Sequence, residues 1–185
     1  IYDRQRVDIV INDLLENYTQ IAPELVDLAE WQSEAAKWLS GFKVTAWITE
    51  PTGVGKLIGE MQEQCLCYVW WDERAQEIRF RAIRPLLPTD ASTPIDWRAN
   101  ILAGSMQMDV RPDERVSQVW IYYGQIDPTR SLDDVANYRR IRIIADLSAE
   151  GSDQYGEQRI KKIFSRWLNA ANATETLATG KRVLN

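Results

Sequence analysis

The hydrophobic rhythm of the chain changes partway along. Up to Met61 apolar residues recur every three or four positions, and beyond it they alternate. The first period belongs to helices and the second to strands. Val7, Val10, Leu14, Leu15 and Tyr18 make one helical stripe, so roughly the first 40 residues read as helical. Pro23 interrupts them, and Trp31, Ala35, Trp38 and Leu39 mark a second helix that Gly41 stops. Residues 43–48 are rich in β-formers and read as a short strand. Pro51 suits the first position of a third helix, because its missing N–H would have no partner there. Val54, Leu57, Ile58, Met61 and Cys65 give that helix its buried stripe.

The clearest strand pair follows. Cys65-Leu-Cys-Tyr-Val-Trp-Trp-Asp72 ends in a turn over residues 72–76, and Glu77-Ile-Arg-Phe-Arg-Ala-Ile83 answers it. Successive strand side chains point to opposite faces. One face of the hairpin therefore holds Cys67, Val69, Trp71, Ile78, Phe80 and Ala82, an ordinary core set. Trp71, Val69, Ile78 and Phe80 are expected to bury against the helix carrying Leu57, Ile58 and Met61. The other face holds Tyr68, Trp70, Arg79 and Arg81. Aromatic and arginine side chains together suit a protein contact better than water, so these four are the candidate interface residues. The bland alternative is that this face packs under residues 100–145 of the same chain.

From Arg84 the character shifts. Pro85, Pro88 and Pro94 lie in a polar stretch, and residues 85–100 read as a linker between a domain of residues 1–84 and a β-rich domain of residues 101–185. Residues 115–124 read as a strand with two apolar faces, hence buried on both sides. Asp127-Pro-Thr-Arg-Ser-Leu-Asp-Asp134 reads as a mobile loop. Residues 138–146 form another strand, with Ile141, Ile143 and Ala145 inward and Arg140 and Arg142 outward. Residues 159–166 favour strand, and Ala173, Leu177 and Leu184 suggest a closing helix.

Composition narrows the function classes. The net charge of −5 gives no electrostatic reason to expect a nucleic-acid or bilayer partner. Arginine outnumbers lysine 16 to 6, and its planar fork is the better interface group. Histidine is absent, which removes the commonest acid–base group and metal ligand together. Cys65 and Cys67 are one residue apart, neither a redox nor a zinc spacing, and read as two buried hydrophobes. No apolar run approaches the ~20 residues of a membrane helix, so no membrane insertion is expected. The chain opens on Ile1 rather than methionine, as a piece of a longer protein would.

Two motifs suggest chemistry. Thr52-Gly-Val-Gly-Lys-Leu57 has the flavour of a phosphate-binding loop, but Glu50 stands where the first glycine belongs and Leu57 where magnesium needs a hydroxyl. It reads instead as a helix start with tolerated glycines. Asp72 with Glu73, and Asp133 with Asp134, could serve a hydrolase only if opposed across a cleft; as sequence neighbours they read as solvated loop acids. No catalytic, cofactor-binding or metal-binding residue is therefore assigned.

A further set of segments carries a likeness. Asp13-Leu-Leu-Glu-Asn-Tyr18, Trp31, Trp38-Leu39, Thr49-Glu-Pro-Thr52, Val69-Trp-Trp-Asp-Glu73 and Ile78-Arg-Phe-Arg-Ala-Ile-Arg-Pro85 follow one another in order. In this the chain resembles the tail-hub (baseplate-hub or tail-tip, host-specificity) proteins of tailed bacteriophages, over residues 3–85 and more weakly through Gln154-Tyr-Gly156, residues 163–167 and residues 173–184. The resemblance implies a non-enzymatic virion protein at the tail tip, assembled in the host cytoplasm. It also implies a trimeric ring that continues the tail tube, with neighbouring tail proteins as partners and DNA passing through without specific binding. The expected fold class is α+β: N-terminal helices with a strand–helix–hairpin unit, a mixed barrel-like β region, and a closing C-terminal helix. A generic α+β protein-interaction module is the alternative, and a carboxylate-dependent hydrolase a more remote one.

Overall fold

Residues 1–85, 101, 102, 105, 107, 115–151 and 156–184 are described by the computed structural model. The fold is mixed α+β. Strand β1 (Tyr2–Arg6) runs directly into helix α1 (Val7–Tyr18), and β1 pairs antiparallel with β2 (Lys43–Ala46). The apolar pattern of roughly the first 40 residues predicts helix here, and the segment is a strand. Tyr-Asp-Arg-Gln-Arg has no helical stripe of its own, and pairing of Tyr2 with Ala46 and Gln5 with Val44 decides its state. At the start of α1 the wholly buried Asp8 accepts two hydrogen bonds from the Arg6 guanidinium, at 3.0 and 2.6 Å. A carboxylate in the first turn also complements the helix dipole.

Helix α2 (Leu28–Trp38) is capped by Asp27, whose carboxylate accepts from the Glu30 N–H at 3.0 Å. Helix α3 (Val54–Gln64) starts three residues after Pro51, so that proline lies in the lead-in and not at the first helical position. The cap is Gly53 in extended conformation, and a Cβ on Gly53, Gly55 or Gly59 would meet nothing within 4 Å. These glycines are thus tolerated rather than required. The helical stripes bury as expected through Val10, Leu14, Trp31, Ala35, Leu57 and Met61, while Tyr18 at the end of α1 is exposed.

Strands β3 (Cys67–Asp72) and β4 (Glu77–Ala82) form the hairpin. A third sheet, of three strands, has the order β6–β5–β7, from β5 (Gln118–Gln125), β6 (Tyr138–Ala145) and β7 (Ile160–Phe164). β6 runs antiparallel to β5 and β7 parallel to it. Helix α4 (Ala173–Leu184) covers one face of this sheet, where Val119, Ile121 and Ile163 pack with Ile144 and Val183. The sheet is open, so the barrel-like expectation does not hold among the described residues.

Register explains why β6 faces the other way from the sequence reading. Val119 lies opposite Ile144, and Ile121 opposite Arg142. Cross-strand partners share a face, so Ile144 and Arg142 turn toward α4, and the Arg142 guanidinium donates to the Ala173 carbonyl at 3.4 Å. Ile141 and Ile143 sit opposite Tyr122 and Trp120 on the outer face and are about half exposed. β5 itself is buried on nearly its whole length, as expected.

The main core joins distant parts of the chain. Tyr123, Trp167 and Leu168 pack with residues of α1, α2, α3 and the hairpin. Residues 1–83 and 116–185 accordingly make one compact unit, where the sequence reading divided 1–84 from 101–185, and residues 84–115 make another. The bulk of the expected linker, residues 86–100 with Pro88 and Pro94, lies outside the described residues, as do Gln154 and Tyr155.

Candidate interaction surface

The hairpin brings the four candidate residues together on one face. Tyr68 stands directly opposite Arg81, and Trp70 opposite Arg79. Tyr68 is 51% exposed, Trp70 43%, and Arg81 is exposed as well. Two rings of this size at a solvent boundary carry apolar area that an interface would remove from water.

The two arginines differ. Arg79 is held among carboxylates: it pairs with Glu30 of α2, with Glu77 at 2.5 Å and with Asp72 at 3.8 Å. Its fork is committed to fixing the hairpin on α2. Arg81 projects beside Tyr68 and keeps its guanidinium in solvent. A third arginine joins from α4, 114 residues further on. The Arg182 guanidinium lies 5.3 Å from the centre of the Tyr68 ring and donates to the Tyr68 hydroxyl at 2.9 Å. Nothing local in the sequence couples Arg182 to Tyr68; only the docking of α4 does.

Trp71 departs from expectation. It is 48% exposed rather than buried against α3. The space under the hairpin is filled from α2, where Trp31 stacks on Phe80 with ring centres 5.4 Å apart and donates its indole N–H to the Ile78 carbonyl at 3.2 Å. Phe80 is buried, Val69 and Ile78 are partly buried, and the strand then runs past the core edge at Trp71. The tip of the hairpin thus displays Trp70 and Trp71 on opposite faces. On the β3 side, the Gln62 side chain accepts from the Val69 N–H at 3.2 Å, which occupies one edge donor.

The other sequence candidates have local duties. Asp72 caps the hairpin turn, accepting from the N–H groups of Arg74 at 3.0 Å and Ala75 at 3.1 Å. Asp134 accepts from the Ala136 N–H at 2.9 Å and pairs with Arg130 at 2.6 Å, and Asp133 accepts from the Ser131 hydroxyl. Residues 127–134 are more firmly tied than a mobile loop. The buried Asn137 side chain accepts from the Asp127 N–H at 2.9 Å and donates to the Asp127 carbonyl at 2.8 Å, while the Tyr138 hydroxyl donates to the Leu132 carbonyl at 2.7 Å. Cys65 and Cys67 are free and fully buried, and burial pushes the Cys67 thiol from 9.0 up to about 12. Among the described residues no group of three or more cysteine or carboxylate side chains is placed to hold a metal ion, and no helix is long and apolar enough to cross a membrane.

No protein-family model matches the chain, and no curated protein matches it.

Proposed function

We propose that this chain is a structural subunit that works by assembly, as part of the tail hub of a tailed bacteriophage, with the Tyr68–Trp70–Arg81 face of the hairpin as a subunit contact. The observation that carries the reading is that face: two half-exposed aromatic rings beside a solvent-facing arginine, on a strand pair anchored from behind by α2. Tyr, Trp and Arg dominate the energetics of protein interfaces. Desolvated cation–π contacts add roughly 2 kcal/mol each. The order of segments in residues 3–85 supports the hub assignment, in which the subunit would form a trimeric ring with neighbouring tail proteins at the virion tip. The net charge of −5 is compatible with a tube that passes DNA, because a basic lumen would hold it by counterion release.

The test is a Trp70→Ala, Arg81→Ala double variant introduced into the parent phage. Both side chains are solvent-facing, so the variant should fold with an unchanged circular-dichroism spectrum and fail to enter tail particles. A folded variant that still assembles into infectious virions removes this face as an interface. Isolation of the parent protein as a free monomer outside any virion, with turnover of a substrate, would remove the hub reading itself.

A further inference from the structure

Trp47 follows directly on β2 and is 57% exposed. It is not part of the hairpin surface. It borders two adjoining clefts, of about 560 and about 440 Å³, each within the size range of small-ligand sites, roughly 300–1,000 Å³. We propose that the larger cleft is a binding site for a neutral saccharide, with the Trp47 ring as its stacking platform.

Three observations support this class of ligand. First, the cleft is built rather than improvised. The Thr49 hydroxyl donates to the Pro128 carbonyl at 2.8 Å, tying the segment after β2 to the loop of residues 127–134. The buried Asn137 pins that loop from behind. Binding to preformed walls loses little to ordering. Second, polar groups of both kinds line it beside the ring. The Gln125 amide makes no hydrogen bond among the described residues, and Lys56 makes no ion pair there, while Glu50 and Asp133 supply acceptors. An amide both donates and accepts, as every sugar hydroxyl does. Third, the lining carries both signs. Lys56, Arg130 and Arg166 stand with Glu50 and Asp133, and two of the cations are already engaged, Arg130 by Asp134 and Arg166 by Glu60. A site of one sign would select a charged ligand; this mixed one suits an uncharged polyol whose C–H face lies on an indole. The site is separate from the hairpin face, so its test stands or falls independently of the tail-hub reading.

The experiment uses the full chain with maltohexaose, cellohexaose and chitohexaose as probes. Binding is read by saturation-transfer NMR and isothermal titration. At least one probe should bind, Trp47→Ala should weaken that binding by about tenfold or more, a loss of about 1.4 kcal/mol, and Trp70→Ala should leave it unchanged. Gln125→Ala should weaken it as well, and serves as the test should Trp47→Ala not fold. Absence of binding by all three probes at about 10 mM, beyond the weak end of specific affinities, overturns the proposal. So does binding that survives Trp47→Ala and Gln125→Ala, or that is lost equally in Trp70→Ala.

Discussion

Two tryptophans mark the difference between a residue that holds the molecule together and one that is displayed by it. Trp31 is wholly buried, stacked on Phe80 and hydrogen-bonded to the Ile78 carbonyl. Trp31→Ala should cost about 3–5 kcal/mol, as deletion of a large buried aromatic does. Trp71→Ala should stay within about 0.5 kcal/mol of wild type, as a half-exposed side chain does. The urea midpoints of the two variants check this directly, and a large shift for Trp71 would mean that it is covered in solution. Helical spacing made Trp31 legible as core from the sequence. The period-two alternation put Trp71 on the correct face of its strand, but it says nothing about where that face runs beyond the helices under it. The same limit applies to Tyr18, which continues the stripe of α1 past the edge of the core.

At the scale of elements, register and capping set what the surface presents. Gly124 interrupts β5 with φ +71, where its N–H donates to the Leu168 carbonyl at 2.8 Å and a Cβ would stand 3.3 Å from Ala170. The left-handed conformation at this point suits glycine, and the irregularity lets the chain leave the strand toward the loop of residues 126–137. That loop is organised by Asn137, which is fully buried and satisfies both polar groups of the Asp127 backbone. Asn137→Ala leaves the Asp127 N–H without its partner, while the Asp127 carbonyl keeps the Arg130 N–H at 3.3 Å, and should cost about 1–3 kcal/mol. Hydrogen exchange should quicken across residues 127–134 in the variant and not in α1. Equal protection in the two proteins would show that the Tyr138 and Thr49 contacts suffice.

At the scale of the molecule, buried acids of the thiol and phenol type couple folding to alkaline pH. Burial raises Cys67 from 9.0 to about 12. Burial also raises Tyr138 from 10.0 to about 12, against the opposing pull of Arg166. Both groups are neutral when protonated, so the folded state holds its proton more tightly than the unfolded chain does. The resulting stability is fully present below pH 9 and is lost as pH rises through about 12. Thermal melts should therefore fall between those limits, and Cys67→Ala should flatten the decline. The same burial predicts that neither cysteine reacts with a thiol reagent at neutral pH until the protein is unfolded. Rapid native-state labelling would contradict the packing of α3 against the hairpin.

The sequence by itself determined what depends on neighbours along the chain. Helical stripes placed α1, α2 and α3, alternation placed the β3–β4 hairpin with Tyr68, Trp70, Arg79 and Arg81 on one face, and the closing helix was legible from Ala173 and Leu177. These are properties of a single period meeting a single apolar surface. The tertiary structure alone decided what depends on partners far away. β1 is a strand because β2 offers it an edge, and β6 turns Ile144 rather than Ile143 inward because β5 sets its register. Arg79 is tied down by Glu30 and the half-exposed Tyr68 is bonded by Arg182, while Trp47 stands at a cleft whose walls lie about 80 residues apart in sequence. Local pattern carries no information on which of several apolar faces finds a cover. That choice is made when the elements pack, because burial rewards any apolar face and geometry admits only some of them.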